Sequence, residues 1–188
     1  MTRAIDVLRK EHDAILRMLE VTERATELLE GDNRLPAHTL NGLLQFFRLF
    51  ADRCHHGKEE DLLFPMLEKK GLPKGGGPVA VMLWEHDQGR MLIQEMALAA
   101  EAYGRGEVAA GRLWASAARG YVRLLREHIL KENNILFVMA EQLLSEAEQT
   151  ELADAFERVE TDRMGERTHE RLHANMDKLA AEILQTIP

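Results

Sequence analysis

Histidine and glutamate recur in this chain of 188 residues in a pattern that can do metal chemistry. The tripeptide Glu11-His12-Asp13 returns 74 positions later as Glu85-His86-Asp87. Each copy is followed by a histidine with a glutamate four positions on, His56 with Glu60 and His128 with Glu132. His12 precedes His56 by 44 residues and His86 precedes His128 by 42, so the sequence reads as two copies of one unit. A single His-x-x-x-Glu pair means little, since about one is expected by chance at this composition. Two copies at matched offsets are a signal.

Residues four apart share one face of a helix, so each pair can offer an imidazole and a carboxylate to the same point. Such a donor set suits iron, manganese or zinc. Buried carboxylates without a cation cost several kcal/mol each, and a pair of metal ions bridged by Glu60 and Glu132 would remove that cost.

The elements that position these residues follow from the chain breakers. Gly31 to Pro36, Gly71 to Pro78 and Gly104 to Gly106 are glycine- and proline-bearing clusters, and a weaker boundary falls at Ser145. Five helical segments result: Arg3 to Glu30, Ala37 to Lys70, Val79 to Tyr103, Glu107 to Leu144 and Glu146 to Ile187. Ser145 with Glu148 fits a capping box that starts the fifth. Pro65 lacks an amide donor, which predicts a kink or a new start after Phe64. Short connections make each successive pair a hairpin, and two hairpins make an all-α, up-and-down antiparallel four-helix bundle over residues 1–144. Residues 145–188 form an additional C-terminal helix, packed on the bundle or on a partner subunit. Its apolar stripe needs a cover, which either the bundle or a second subunit in a homodimer can supply.

Periodicity turns the motif residues inward. Ile5, Leu8, His12, Ile15 and Leu19 follow the three-and-four spacing of a buried seam, as do Val79, Met82, His86, Gly89, Ile93 and Met96. In the fourth segment the seam runs through Trp114, Tyr121, Leu125, His128, Glu132, Ile135 and Met139. In the second, the stripe Leu49, His56, Glu60, Leu63 and Leu67 is the more apolar, which leaves His55 and Glu59 as a solvated flank or as alternates to that pair. Glu11, Glu85, Asp13 and Asp87 are placed to orient imidazoles. Gly89 fits tight helix packing or room beside the site, while Tyr121 and Cys54 read as core residues. His169 and His173 have metal-compatible spacing but no second motif, and read as surface or packing residues.

Composition excludes several classes. The formal charge of −8 argues against nucleic acid or an anionic membrane surface as partner. One cysteine, Cys54, allows no intrachain disulfide and no cysteine-rich metal site, which suits a reducing cytoplasm. Met1 to Arg24 is charged throughout, unlike a signal peptide, and no stretch approaches the roughly 20 apolar residues of a membrane span.

Taken with His55-His56-Gly57-Lys58-Glu59-Glu60-Asp61-Leu62-Leu63-Phe64-Pro65, the motifs around His12, His86 and His128 resemble the hemerythrin-like, or HHE cation-binding, family over roughly residues 1 to 144. The resemblance implies a non-heme di-iron centre, with His12, His56, His86 and His128 as terminal ligands and Glu60 and Glu132 as bridges; zinc or manganese are possible substitutes. Oxygen-carrying members have a further histidine one turn beyond the third-helix ligand, where this chain has Arg90. The set is closer to bacterial hemerythrin-like proteins and to the di-iron domain of iron-centre repair proteins. Three readings follow: a binding or sensing protein for oxygen, peroxide or nitric oxide; a di-iron oxidoreductase that reduces peroxide or nitric oxide; and an iron-handling or repair protein.

Overall fold

The computed structural model describes the backbone of residues 2–31, 35–164 and 168–184, with side chains throughout these except at 162–164 and 168–173. The chain is all-helical, 89% helix, with no strand among the described residues. Helix α1 spans Ala4–Glu30. A second rod begins as α2 (Ala37–Phe46), runs through two π-helical stretches at Phe47–His56 and Glu59–Leu63, and ends as α3 (Phe64–Lys69). Helix α4 spans Gly77–Gly104. A fourth rod consists of α5 (Ala110–Lys131), a π turn at Glu132–Leu136 and α6 (Phe137–Leu143). The expected fifth segment is described in two pieces, α7 (Glu146–Met164) and α8 (Thr168–Leu184).

The breakers act as their chemistry requires. Gly106 closes the α4–α5 turn at a φ of 96°, a left-handed conformation that a side chain would strain. At the start of α7 the Ser145 amide donates to Glu148 Oε2 at 2.9 Å while the Glu148 amide donates to Ser145 Oγ at 3.4 Å, completing the capping box. Before Pro65 the Phe64 amide donates five residues back to the Glu59 carbonyl. The Phe137 amide reaches Glu132 in the same way with no proline nearby. The wide turn therefore accommodates Pro65 and is not created by it.

Helices α1 and α4 both lie along α5, and α2 packs on α4. Helix α7 lies against α1 and the π stretches, and α8 against α1 and α2. Two apolar clusters result. One holds Leu19, Phe47, Trp114 and Tyr121, with Met176 and Ile183 added from α8. The other holds Ile5, Leu8, Leu63, Phe64 and Phe137, with Leu152 and Phe156 added from α7. No described helix is long and apolar enough to cross a membrane.

Candidate metal centre

A polar layer separates the two clusters: on α1, His12 lies between Leu8 of one cluster and Ile15 of the other. Five imidazoles, those of His12, His55, His56, His86 and His128, are buried there with the carboxylates of Glu59 and Glu132. Their ligand atoms form two groups, His12, His55, Glu59 and Glu132 in one and His56, Glu59, His86 and His128 in the other, with all atoms of a group within 4.8 Å of one another.

Both carboxylates span the groups. Glu132 Oε2 is 3.1 Å from His12 Nε2 and 3.3 Å from His128 Nε2. Glu59 places Oε1 3.7 Å from His55 Nε2 and Oε2 3.5 Å from His86 Nε2. Although these approaches fall within ion-pair range, none of the four carboxylate oxygens has a hydrogen-bond partner of adequate geometry. The Nε2 atoms of His12 and His55 also face each other at 2.9 Å, and those of His86 and His128 at 3.2 Å. Converging lone pairs and unpartnered buried carboxylates are what a cation resolves.

The opposite ring nitrogens are held from outside. His55 Nδ1 is 2.9 Å from Glu11 Oε2 and His128 Nδ1 is 3.0 Å from Glu85 Oε2. His86 Nδ1 is 2.7 Å from Glu60 Oε1, and His12 Nδ1 is 3.0 Å from Asn133 Oδ1. His56 Nδ1 approaches Asp52 at 3.5 Å. An acceptor at Nδ1 fixes the proton there and leaves the Nε2 lone pair pointing inward. Lys58 in turn ion-pairs with Glu11, and Lys131 with Glu85.

The structure brings His12, His56, His86, His128 and Glu132 together, and in the second segment it places His55 and Glu59 with them in place of Glu60. Glu60 is not at the centre: it is partly exposed and holds His86 Nδ1 and Arg90 from outside. Glu59 is fully buried instead, and His55, expected on a solvated flank, is buried beside it. The cause is the π-helical backbone over Phe47–His56 and Glu59–Leu63. A wider turn rotates successive side chains less, so consecutive residues such as His55 and His56 can face one point, and a seam with α-helical spacing loses register. Glu11 and Glu85 orient imidazoles as expected, whereas Asp87 pairs with Arg90.

A signal for the correct register exists in the sequence. His55-x-x-Lys58-Glu59 and His128-x-x-Lys131-Glu132 match at an offset of 73, and Leu63-Phe64 and Leu136-Phe137 match at the same offset. Aligning on the lysine selects Glu59. The repeat extends to the supporting groups, with Glu11, His55 and Lys58 answering to Glu85, His128 and Lys131, and Glu60 answering to Asn133. His56 has no counterpart, since Ile129 stands at its equivalent. His169 and His173 lie outside the described side chains.

The family described as the hemerythrin HHE cation binding domain matches residues 3–140. The chain belongs to that family. Together with the buried His/Glu groups, the match marks a metal-binding site. Uncharacterized proteins of Mycobacterium tuberculosis (Rv1995) and Mycobacterium bovis (Mb2018) are each 29% identical over 159 residues, covering 85% of this chain and 62% of theirs. The chain thus spans about three-fifths of the length of these curated relatives. No solved structure matches it.

The electrostatics of this HHE domain show the strain that a cation would relieve. Burial raises the Glu59 carboxyl well above its ordinary value, and the nearby Glu132 charge adds to the rise. Burial also opposes ionisation of Glu132, but His128 and His12 outweigh it and hold that carboxyl well below its usual range. Burial lowers His55 to about 4 and His56 to about 3, so both imidazoles are neutral near pH 7. His128 differs: burial lowers it, yet Glu132 and Glu85 overcome this and raise it to about 9. The rises at Glu59 and His128 both favour the protonated form and so offset buried negative charge.

A cavity of about 350 Å³ leads from the surface to His56 and His86, walled by Asp52, Gly89, Arg90 and Tyr121. Arg90 is clamped across its side by Asp52 at 2.9 Å and Glu60 at 2.7 Å. A Cβ on Gly89 would sit 3.5 Å from the Tyr121 ring, an ordinary contact, so glycine keeps the wall open without being sterically required. Burial raises the Tyr121 phenol and keeps it protonated.

Proposed function

We propose that residues 1–144 form an up-and-down four-helix bundle holding two non-heme iron ions, and that the centre binds or senses oxygen, peroxide or nitric oxide. One observation carries this reading: Glu59 and Glu132 each lie between a histidine of one buried group and a histidine of the other. His12 and His55 would hold one ion and His56, His86 and His128 the other, with Glu59 and Glu132 shared. Glu59 would serve both ions in the place that the sequence resemblance gave to Glu60.

Iron, when bound, supplies a redox-active centre to which small oxidants and nitric oxide bind. The protein's own contribution is positional. Glu11, Glu60, Glu85 and Asn133 aim the imidazoles, the two apolar clusters exclude bulk water, and the cavity beside Gly89 admits a ligand of a few atoms.

The test is anaerobic loading with ferrous iron, then optical spectra on adding oxygen, hydrogen peroxide or nitric oxide. Reversible spectral change without consumption is the expected result. Sustained consumption would favour the oxidoreductase alternative, and transfer of iron to an apo acceptor the iron-handling one.

A further inference from the structure

The two halves of the repeat differ in what covers them. On the first, α7 lies against α1 and the π stretches and buries Leu152, Ala153 and Phe156. Lys58 Nζ sits 5.9 Å from the centre of the Phe156 ring and 3.3 Å from Glu160 Oε2, so a helix with an aromatic residue one turn before a glutamate seals the Glu11–Lys58 pair. The Lys58 side chain is 0% exposed.

On the second half Glu85 is as buried as Glu11, but its partner Lys131 is not sealed: the Lys131 side chain is 35% exposed. Around it the equivalent positions are apolar and uncovered. Val81 answers to Val7 and Ile135 to Leu62, yet Val81 is 44% and Ile135 50% exposed, whereas Val7 and Leu62 pack against the cluster that includes α7. Trp84, 60% exposed, stands where the covered half has Lys10, and exposed Leu130 stands where it has Gly57. The half that no described residue covers is thus the more apolar at its surface, opposite to what an uncovered face requires for solubility.

We infer that the face formed by Val81, Trp84, Lys131 and Ile135 docks an acidic amphipathic helix of a partner protein, in the way α7 occupies the equivalent face. Its recognition chemistry is that of α7: an aromatic residue seated on Val81, Trp84 and Ile135, and a carboxylate one turn later shared with Lys131. Only Glu85 serves Lys131 among the described residues, which leaves its other donors available to that carboxylate. The inference is independent of which metal the centre holds.

The probe is a fluorescently labelled peptide of residues 146–164, titrated into the full chain and read by anisotropy. Saturable binding is expected, weakened about tenfold or more by Trp84→Lys in the protein, which installs the residue of the covered half. Phe156→Ala or Glu160→Gln in the peptide should weaken it too, and these changes leave the protein's fold untouched. Absence of binding, or binding that Trp84→Lys leaves unchanged because the peptide displaces α7, would overturn the inference. So would concentration-dependent dimerisation that Trp84→Lys abolishes, since the face would then serve a second copy of this chain.

Discussion

Glu60 Oε1 lies 2.7 Å from His86 Nδ1, while its neighbour Glu59 is fully buried among the Nε2 atoms of the same cluster. Adjacent glutamates in one rod therefore hold opposite sides of the site, one among the donor atoms and one behind an imidazole.

That division predicts different consequences for two conservative changes. Glu59→Gln should abolish stoichiometric metal binding. Glu60→Gln should keep both ions but weaken affinity by roughly 10- to 100-fold, as loss of an orienting partner does. His55→Ala should lose metal as His56→Ala does, because both rings are buried in the cluster. Chelator competition measures all four, and equal loss from the two glutamate variants would contradict the assigned positions.

Lys58 and Lys131 are equivalent in the repeat but not in environment. Lys58→Met leaves Glu11 buried without its cation and should destabilise the metal-free chain by about 3–5 kcal/mol. Lys131→Met removes a partly exposed cation from buried Glu85, which keeps His128 and gains access to water where the lysine stood, and should cost less, about 1–2 kcal/mol. Urea denaturation of the two variants gives the comparison, and similar losses would show that α7 does not isolate Lys58.

Stability of the metal-free chain should be greatest near neutral pH. His55 and His56 are lowered from 6.5 to about 4 and about 3, so the unfolded chain takes up protons first on acidification. Their contribution is complete above pH 6.5 and is lost as pH falls through 4 toward 3. His128 is raised from 6.5 to about 9, so its contribution is complete below 6.5 and is lost as pH rises through 9. Thermal melts from pH 4 to 9 should trace this maximum, and a monotonic rise across the range would contradict the His128 environment.

Gly89 tests the cavity. Gly89→Leu places a branched side chain in the space beside Tyr121 and His86 and should slow ligand binding at least tenfold with metal content unchanged. Stopped-flow mixing of the loaded protein with azide reads it, and an unchanged rate would show that ligands enter by another path.

What could be read in advance depended on backbone regularity. In α1, α4 and α5 the α-helical period places His12, His86 and His128 correctly, because those stretches are ordinary α-helix. In the second rod the π stretches break the period, so α-helical spacing points to Glu60 and sets His55 outside. No local propensity marks a π turn in this sequence; the Lys58–Lys131 equivalence marks the register only when both copies are aligned. Burial of Lys58 was not legible at all, since it depends on α7 folding back over the first half. The capping box at Ser145 was legible because its two partners are close in sequence.

On the proposed reading, Glu59 and Glu132 join two histidine groups into one site for two ions. Metal analysis after anaerobic iron loading and desalting decides it. Two iron ions per chain are predicted for the natural sequence, with neither site filled stoichiometrically in the Glu59→Gln, Glu132→Gln double variant. One ion per chain at saturation, or two retained by the double variant, would contradict it.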